Sequence, residues 1–561
     1  MYSSKESVNQ LTALLVAYGV GHAVVCPGSR NAPIVHNLSE CDGITCHAVT
    51  DERSAGFYAL GMAQALHQPV AVCVTSGTAL LNLAPAVAEA WYQHLPLIVI
   101  SADRPTAWIG QLDGQTLPQQ GALGCFVRTA VTLPEDNLWH CNRLLNEALL
   151  AATDDDNPRP VHINVPISEP LFTFGVARLP AVRQMVRVSP PRDYGCLNMA
   201  FVDGLLAAQR PMIVFGQTSA HNFEGVGVSF LFSHVIMLHE ATSAFPSVSH
   251  FDEVLSDEEG GAGNGERLLP PDFIIYVGDV IVSKRLRRFL RRDDQAQTWR
   301  ISASGDVEDT FQNLRGIIVG DPEMVLQSLS HKLSRRPFHA THYRRQWLAA
   351  LTRAAQWAAD YQPPYSQMAA VRLFEQKYSK ISQSEATQSS GAKFNVHYAN
   401  STAIRLANIY ARHHVWCNRG VNGIEGSLST AAGFSLVTGG RVFCVIGDLS
   451  FFYDQNALWN HELRSNLRIL LLNNRRGGIF NLLPGLEQSP ARDSYVAAAH
   501  GAHAEGVCLQ NNVAYFRADS MEQLGPALDN LFSMESTRPV LLEVVTDAAD
   551  DARAYTAYYR H

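Results

Sequence analysis

The chain has 561 residues, a formal net charge of −8 and 47% hydrophobic content. A chain of this length is expected to form about three or four domains, and its composition is that of an ordinary globular protein. The negative charge gives no support for nucleic-acid binding, which favours basic stripes. No apolar run approaches the ~20 residues that a membrane-spanning helix requires.

The N-terminus predicts a helix followed by a buried strand. Lys5 and the apolar stretch 11–20 imitate a short signal peptide. However, the apolar side chains of that stretch share one helical face. The strand His22–Cys26 follows directly, so we predict no export.

The ten cysteines predict neither a zinc site nor a redox motif, because no pair shows C-x-x-C spacing. Cys26, Cys73, Cys125 and Cys444 lie in or beside apolar segments. We therefore expect reduced core cysteines in a cytosolic protein.

The first unit alternates short apolar strands with helices, which is typical of a parallel sheet covered on both faces. Pro180 and the Pro190-Pro191 pair mark its end, and we place the unit at 1–185. The predicted strands are His22–Cys26, Thr45–Thr50, Val70–Val74, Leu97–Ser101 and Val161–Val165.

A second unit is predicted over 186–350. The acidic, glycine-rich stretch Asp252–Gly265 is predicted to be a mobile surface loop. Its glycines are not spaced as a dinucleotide fingerprint, so no nicotinamide site is predicted. The strands expected in this unit are Met212–Phe215, Val235–His239 and Phe273–Val277.

A helical and polar segment at 351–394 leads into the last unit, 395–561. Arg344–Lys377 predicts a long helix interrupted near Pro363-Pro364, where the ring of proline blocks helical hydrogen bonding. The polar run Ser379–Lys393 predicts a linker. The last unit again has an α/β rhythm and ends in the strand Val540–Val545.

Two oxygen-bearing side chains follow two strands of the last unit. The apolar strand Arg441–Ile446 runs into Gly447-Asp448, and the strand Arg468–Leu472 runs into Asn473-Asn474. Open α/β sheets bind ligands at the carboxyl ends of their strands, and Mg²⁺ prefers oxygen ligands and phosphate. The alternative is an ordinary Gly-Asp turn after a buried strand.

A second motif lies far upstream, where Glu52 opens a predicted helix over Asp51–Ala63. An acidic residue is favoured at a helix N-terminus in any case. Gly-Asp followed after 26 residues by Asn474, with a glutamate in an earlier unit, resembles the thiamine-diphosphate enzymes. In those enzymes the glutamate shares a proton with the pyrimidine ring of the cofactor. The resemblance implies a cofactor shared by the first and third units.

Several arginines occur where a strand or turn meets a helix. Each could be a solvated surface charge or a structural ion pair. As a set they resemble planar clamps for carboxylates, which suit polyanionic substrates. They are Arg30, Arg104, Arg285, Arg405 and Arg419.

Together these motifs resemble the 2-succinyl-5-enolpyruvyl-6-hydroxy-3-cyclohexene-1-carboxylate synthases of the menaquinone pathway, a family of thiamine-diphosphate enzymes. The similarity extends from near residue 20 to about residue 485 and is weakest in the middle unit. The matching segments are 27–33, 50–57, 74–79, 102–105, 418–426, 429–433 and 447–450.

The resemblance implies an α/β fold of three doubly wound parallel-sheet domains. It also implies decarboxylation of 2-oxoglutarate and conjugate addition of the succinyl unit to isochorismate, giving the family's product without release of pyruvate. Thiamine diphosphate and Mg²⁺ or Mn²⁺ would be cofactors. The protein would be a cytoplasmic homodimer or homotetramer, with no nucleic acid and no membrane span.

Carried over residue by residue, the resemblance assigns Glu52 to cofactor activation. Asp448, Asn474 and the backbone carbonyl of Arg476 would hold the metal. Ile424 would be the apolar prop that bends the cofactor. The other implied cofactor contacts are Gly447, Leu449, Ser450, Ile479, Phe480 and Leu483.

The implied substrate contacts include the five arginines. Ser401 and Arg405 would receive the succinyl carboxylate, and Arg419 would belong to the same carboxylate-binding set. The residues that would face isochorismate or orient the intermediates are Ser29, Arg30, Arg104, Gln115, Lys284 and Arg285.

Two departures from the family pattern affect these assignments. Arg475-Arg476 stands where the family usually has small or acidic residues and glycine, so strain is expected at Arg476. Gly114 precedes Gln115 where relatives can carry asparagine. The competing interpretations are another thiamine carboligase or 2-oxo acid decarboxylase, and a catalytically silent binding homologue.

Overall fold

The computed structural model describes residues 1–188, 197–218, 223, 227–260, 268–335, 341–386, 394–483 and 485–560. Three parallel sheets, each flanked by helices, account for most of this structure. The central strands of each sheet are buried along their whole length. This burial explains why their sequences are continuous apolar runs rather than alternating ones. No helix among the described residues is long and apolar enough to cross a membrane.

The first unit contains eight strands and six helices. They are β1 (Tyr2–Ser3), α1 (Glu6–Ala17), β2 (His22–Val25), α2 (Ala32–Ser39), β3 (Thr45–Ala48), α3 (Glu52–Leu66), β4 (Val70–Val74), α4 (Thr78–Asn82), α5 (Ala84–Tyr92), β5 (Leu97–Asp103), β6 (Thr129–Thr132), α6 (Leu138–Ala152), β7 (Val161–Pro166) and β8 (Phe174–Val176). The main sheet has the order β3-β2-β4-β5-β7-β6 with all pairs parallel, and β1 pairs antiparallel with β8.

The middle unit is a five-stranded parallel sheet. Its elements are α7 (Met199–Ala207), β9 (Pro211–Phe215), α8 (Ser229–His234), β10 (Ile236–His239), α9 (Phe251–Gly260), β11 (Phe273–Val277), α10 (Lys284–Leu290), β12 (Gln297–Ser302), β13 (Leu314–Val319) and α11 (Pro322–Leu333). The strand order is β10-β9-β11-β12-β13.

Two long helices precede the third sheet. The elements are α12 (Thr341–Asp360), α13 (Gln367–Ala386), β14 (Asn395–Tyr398), α14 (Thr402–Tyr410), α15 (Ser427–Leu436), β15 (Val442–Gly447), α16 (Asp448–Tyr453), β16 (Leu467–Asn473), α17 (Glu505–Gln510), β17 (Ala514–Ala518), α18 (Met521–Ser533), β18 (Val540–Val545) and α19 (Ala548–Tyr558). The parallel strands have the order β14-β15-β16-β18-β17. Short 3₁₀ or π turns cover Thr106–Trp108, Gly124–Phe126, Gln455–Leu458, Gly478–Leu482, Leu486–Gln488 and Arg492–Val496.

Every predicted strand is present within a few residues of its predicted ends, and the α/β class with parallel sheets is confirmed. The helix break near Pro363-Pro364 is also confirmed, because α12 ends at Asp360 and α13 begins at Gln367. The domain limits at 185, 350 and 394 remain predictions, and Pro190-Pro191 lies outside the described residues.

The predicted loop Asp252–Gly265 was wrong over its first part, which is the helix α9. Phe251, Val254 and Leu255 are buried at the i, i+3, i+4 spacing of a helical face, beneath the acidic residues. Residues 261–265 lie outside the described residues.

The predicted linker Ser379–Lys393 was also wrong over its first part, since α13 continues to Ala386. The stretch 379–386 contains neither proline nor glycine, and Ile381 packs against the core. Residues 387–393 lie outside the described residues. Cys125 is exposed rather than in the core, whereas Cys26, Cys73 and Cys444 are buried as expected.

The first and third sheets are joined by direct backbone contact between α3 and α15. A Cβ atom on Gly61 would lie 2.0 Å from the carbonyl oxygen of Thr430, and one on Gly433 would lie 2.2 Å from that of Tyr58. The Tyr58 hydroxyl donates to the carbonyl of Ala457 at 2.5 Å. Because each helix offers a glycine to the other, the two backbones approach more closely than side chains would permit.

A buried carboxyl group lies at the same junction. Asp454 follows α16 and is fully buried. It accepts hydrogen bonds from the backbone N–H and the hydroxyl of Ser429, both at 2.7 Å. Arg53 of α3 reaches across to the Tyr453 carbonyl at 2.7 Å, so the start of α3 is tied to the end of α16.

We expect Gly61→Ala to destabilise this junction. Alanine favours helix over glycine by about 1 kcal/mol, but its methyl group would clash with a backbone carbonyl that cannot rotate away. The net loss in the free energy of unfolding should be about 1–3 kcal/mol, measured by thermal or urea denaturation. The matched control is Gly506→Ala in α17, where a Cβ atom would meet nothing within 4 Å. Equal stability of the two variants would contradict the close-contact explanation.

Candidate active site

Three candidate site residues lie at one edge of the third sheet. The strands β14, β15 and β16 are adjacent and parallel, so their carboxyl ends face the same side. Asp448 follows β15 and Asn474 follows β16, as the sequence predicted. Ser401 follows β14 at the start of α14. The arrangement places polar side chains at the edge where open α/β sheets bind ligands.

The predicted metal ligands lie close together. Asp448 is 4% exposed, and its Oδ2 atom accepts the backbone N–H of Arg476 at 3.1 Å. The Asn474 amide nitrogen donates to Asp551 at 2.9 Å, which leaves the Asn474 Oδ1 atom as the potential ligand. His500 Nε2 lies 3.4 Å from Asp448 Oδ2 but is buried without a hydrogen-bond partner among the described residues.

This donor set fits Mg²⁺, which takes a few protein oxygens and completes its shell with phosphate and water. Asp448 supplies a carboxylate and Asn474 an amide oxygen. No group of three or more His, Cys, Asp or Glu side chains in the described ranges could hold a metal by itself. The site therefore fits a metal ion whose remaining ligands come from a bound phosphate group.

The strain expected at Arg476 is found one residue earlier. Arg475 has a φ of 65°, in the left-handed region that favours glycine or asparagine. Its backbone N–H donates to the Asn473 side chain at 3.0 Å, which holds the turn. The Arg476 guanidinium pairs with Asp493 at 2.9 Å. The Arg476 side chain is therefore engaged with Asp493, so its predicted role would fall to its backbone.

Several of the predicted cofactor contacts are apolar. Ile424 and Leu483 are each 41% exposed. Ile479 and Phe480 lie partly buried in the short helix Gly478–Leu482. A further contact joins the two loops, because the Ser450 hydroxyl donates to the Ile424 carbonyl. Of the other predicted cofactor contacts, Gly447 and Leu449 are partly buried beside Asp448.

Ser401 is held in a strained conformation, with a φ of 73° and a ψ of −126°. Such geometry costs roughly 1–3 kcal/mol in a residue other than glycine and is concentrated at functional sites. Arg405 lies one turn further along α14. Arg419 is 8% exposed and donates to the Asn400 side chain at 3.0 Å. Asn400, which sequence reasoning missed, also donates to the Gly423 carbonyl at 2.7 Å and so holds the loop that carries Ile424.

Glu52 lies in the first turn of α3, as predicted. The preceding residue, Asp51, caps this helix by accepting the N–H of Arg53 at 2.9 Å. The Asn82 amide donates to Glu52 Oε2 at 3.1 Å. In the part of the chain that the structure describes, no hydrogen bond or ion pair joins Glu52 to Asp448 or Asn474. The two predicted half-sites are thus each formed separately within one chain.

Arg30 and Arg104 form a pair of like charges at the carboxyl edge of the first sheet. Arg30 is buried, and its pKa is lowered first by burial and then by the charge of Arg104. It donates to the Ile167 carbonyl at 2.9 Å and lies 3.5 Å from Glu169. Two neighbouring guanidinium groups form a natural anion site. The predicted neighbours Ser29 and Gln115 are both exposed.

Arg285 and Arg405 come from different units and converge on the C-terminal helix α19. The Arg285 guanidinium stacks on the ring of Tyr559 at 4.5 Å. Burial raises the pKa of Tyr555, while the charges of Arg405 and Arg285 oppose that rise. Tyr555 and Tyr559 were missed because neither belongs to a recognisable motif. Lys284, at the start of α10, is exposed.

Four of the candidate arginines have a buried Nε–H group with no hydrogen-bond partner among the described residues. Buried donors are normally paired, so an acceptor is expected there. Three arginines elsewhere share the feature, so the positions of the candidates, rather than this atom alone, argue for an anionic ligand. The four are Arg30, Arg104, Arg405 and Arg419.

Asp551 is a second residue that sequence reasoning missed. It lies on α19, is the acceptor for Asn474, and also accepts the Thr546 hydroxyl at 2.9 Å and the Gln367 N–H at 2.8 Å. Because a carboxylate accepts but does not donate, it orients the Asn474 amide with its oxygen away from Asp551. Spacing gave no signal, since Asp551 is 77 residues from Asn474.

Comparison with known proteins agrees with this architecture. Residues 6–123 match the thiamine pyrophosphate enzyme, N-terminal TPP binding domain. Residues 399–544 match the thiamine pyrophosphate enzyme, C-terminal TPP binding domain. The chain therefore contains the two cofactor-binding domains of a thiamine pyrophosphate enzyme.

Curated relatives narrow the class. Proteins named 2-succinyl-5-enolpyruvyl-6-hydroxy-3-cyclohexene-1-carboxylate synthase from Bacteroides thetaiotaomicron, Bacteroides fragilis and Phocaeicola vulgatus are 43%, 42% and 40% identical. Each alignment covers 100% of this chain and 99% of the relative. The chain belongs to the family of these synthases.

We expect Asp551→Ala to weaken the binding of Mg²⁺ together with thiamine diphosphate by about 10- to 100-fold, the usual cost of losing a partner that orients a metal ligand. Calorimetric titration of the apoprotein would measure this affinity. The control is Asp550→Ala, whose half-exposed carboxylate pairs with Arg553 instead. Indistinguishable affinities of the two variants would show that Asp551 does not orient Asn474.

Proposed function

We propose that this protein is a thiamine-diphosphate-dependent transferase of menaquinone biosynthesis. It decarboxylates 2-oxoglutarate and adds the resulting succinyl unit to isochorismate, giving 2-succinyl-5-enolpyruvyl-6-hydroxy-3-cyclohexene-1-carboxylate and CO₂ and releasing no pyruvate. The observation that carries the proposal is the meeting of Asp448, Asn474 and the Arg476 backbone at adjacent strand ends. Full-length similarity to synthases of that name supports the choice of substrates.

The bound cofactor would supply a carbon nucleophile and an electron sink for decarboxylation. Asp448, the Asn474 amide oxygen and the Arg476 carbonyl would hold its diphosphate through Mg²⁺ or Mn²⁺. Glu52 would share a proton with a nitrogen of the pyrimidine ring. Ile424 would support the bent cofactor, and its 41% exposure supports a role in contacting a ligand.

The arginines would hold the substrates. Both substrates are dicarboxylates, so up to four negative charges must be accommodated near one another. Ser401 and Arg405 would receive the distal carboxylate of 2-oxoglutarate at the start of α14. The like charges of Arg30 and Arg104 repel each other. The carboxylates of isochorismate would stabilise this pair.

We further propose that the protein is a cytoplasmic homo-oligomer. The nine described cysteines are all free, which supports a reducing compartment. Large apolar side chains are exposed in the first and third units, as expected of surfaces that associate. They include Leu112 at 102%, Tyr453 at 51%, Trp459 at 59% and Tyr495 at 84% exposure.

The test of the activity is incubation of the purified protein with thiamine diphosphate, Mg²⁺, 2-oxoglutarate and isochorismate, with mass spectrometry of the product. The expected product contains the carbon skeleton of isochorismate joined to that of 2-oxoglutarate, which has lost one CO₂. Omission of isochorismate is the control for simple decarboxylation. A flavin spectrum with turnover of a different 2-oxo acid would favour another carboligase. Cofactor binding without turnover of any 2-oxo acid would favour a silent homologue.

We predict that Arg405→Ala impairs the first half of the reaction and Arg104→Ala the second. Loss of a charge-assisted hydrogen bond costs ~1.5–3 kcal/mol, or roughly 10- to 150-fold in the affected step. Single-turnover decarboxylation of 2-oxoglutarate without isochorismate separates the two halves. If Arg104→Ala slows that decarboxylation as much as Arg405→Ala does, the assignment of arginines to substrates is wrong.

A further inference from the structure

A separate cavity of about 480 Å³ lies between α12, α13 and the end of α14. A short segment of the middle unit, including His250, forms its remaining wall. We call it the α12–α14 cavity. Its lining contains none of the residues assigned above to cofactor or substrate.

The walls of the α12–α14 cavity are positively charged. Arg372, Lys380 and Arg412 line it, and none of them has a carboxylate within 4.0 Å among the described residues. The Arg372 guanidinium donates one hydrogen bond to the Ala359 carbonyl at 3.3 Å. Arg372 is partly buried, and Lys380 and Arg412 are exposed. Three cations in one concave site repel one another, so an anion placed among them would be stabilised.

Glu375 is the single acidic residue among the described lining residues, and it is already engaged. His413 Nε2 lies 2.9 Å from Glu375 Oε2, and the Tyr398 hydroxyl donates to Oε1 at 2.6 Å. Burial lowers the pKa of His413, but Glu375 outweighs that effect and raises it overall. The carboxylate is therefore committed to this buried network and is not available to Arg372 or Arg412.

The cavity also contains apolar surface. Ala355, Ala358 and Ile409 are among its lining residues. A volume of this size lies within the range of small-molecule sites, about 300–1,000 Å³. Cationic and apolar side chains in one lining fit a ligand that carries both an anionic group and an apolar body.

We propose that the α12–α14 cavity is a second ligand site, which binds an organic anion with an apolar body and a carboxylate or phosphate group. Arg372 and Arg412 hold the anionic group, and the alanines of α12 contact the apolar body. The proposal does not depend on the synthase activity.

The probe is biphenylcarboxylate, titrated calorimetrically into the protein loaded with thiamine diphosphate and Mg²⁺. Biphenylmethanol tests the apolar body without the charge, and inorganic phosphate tests the charge without the apolar body. We expect one site for biphenylcarboxylate and at least 10-fold weaker binding of each of the other two. Equal binding of either would overturn the proposal, because the site requires both features.

Two kinds of variant locate the binding. The double variant Arg372→Gln, Arg412→Gln should weaken biphenylcarboxylate binding by about 10- to 100-fold, and Ala359→Phe should block it by filling the cavity without changing its charge. The matched control is Arg353→Gln, an exposed arginine of α12 outside the cavity. Arg104→Gln, in the proposed substrate site, should likewise leave probe affinity unchanged. Absence of binding, or binding that survives both cavity variants, would refute the site.

Discussion

The contact between α3 and α15 determines how the first sheet stands relative to the third. Backbone touches backbone where Gly61 and Gly433 lie, so the helices have no side-chain layer that could adjust by changing rotamer. Such an interface has one favourable separation and resists sliding. Glu52 begins α3 and Asp448 begins α16, which is tied to α3 through Arg53. The positions of the two predicted cofactor motifs in each chain thus depend on two glycines that take no part in chemistry.

The candidate arginines contrast with the net charge of the molecule. The chain is net negative, yet these arginines come from all three units, and Arg30 and Arg419 are buried. Burying a guanidinium is unfavourable, and burial lowers the pKa of Arg30 even though Glu169 lies 3.5 Å away and acts in the opposite direction. In the proposed function, a substrate carboxylate would offset this cost. The backbone of Ser401, with a φ of 73°, adds conformational strain.

The fold class and the central ligands could be predicted from the sequence because they depend on local pattern. A buried parallel strand is an apolar run, and Asp448 and Asn474 each follow one directly. The prediction was wrong at α9 and at the end of α13 because both segments are rich in polar residues. The buried Val254 and Leu255 and the partly buried Ile381 mark the apolar faces of these helices. Asp551, Asn400 and Tyr559 could not have been found, since they meet their partners only through tertiary packing. The strain expected at Arg476 was displaced to Arg475 because the turn places its positive φ one residue earlier.

The buried Asp454 makes the stability of the junction between the first and third sheets depend on pH. Burial raises the pKa of this carboxyl from 3.8 to about 6, although both hydrogen bonds from Ser429 and the charge of Arg53 act in the opposite direction. The folded protein therefore binds a proton more tightly here than the unfolded chain does, and folding near pH 5 takes one up. By linkage, the contribution of this group to stability is fully present below pH 3.8 and is lost as the pH rises through about 6. At neutral pH the junction thus contains an ionised, buried carboxylate, which is held by two hydrogen bonds from Ser429.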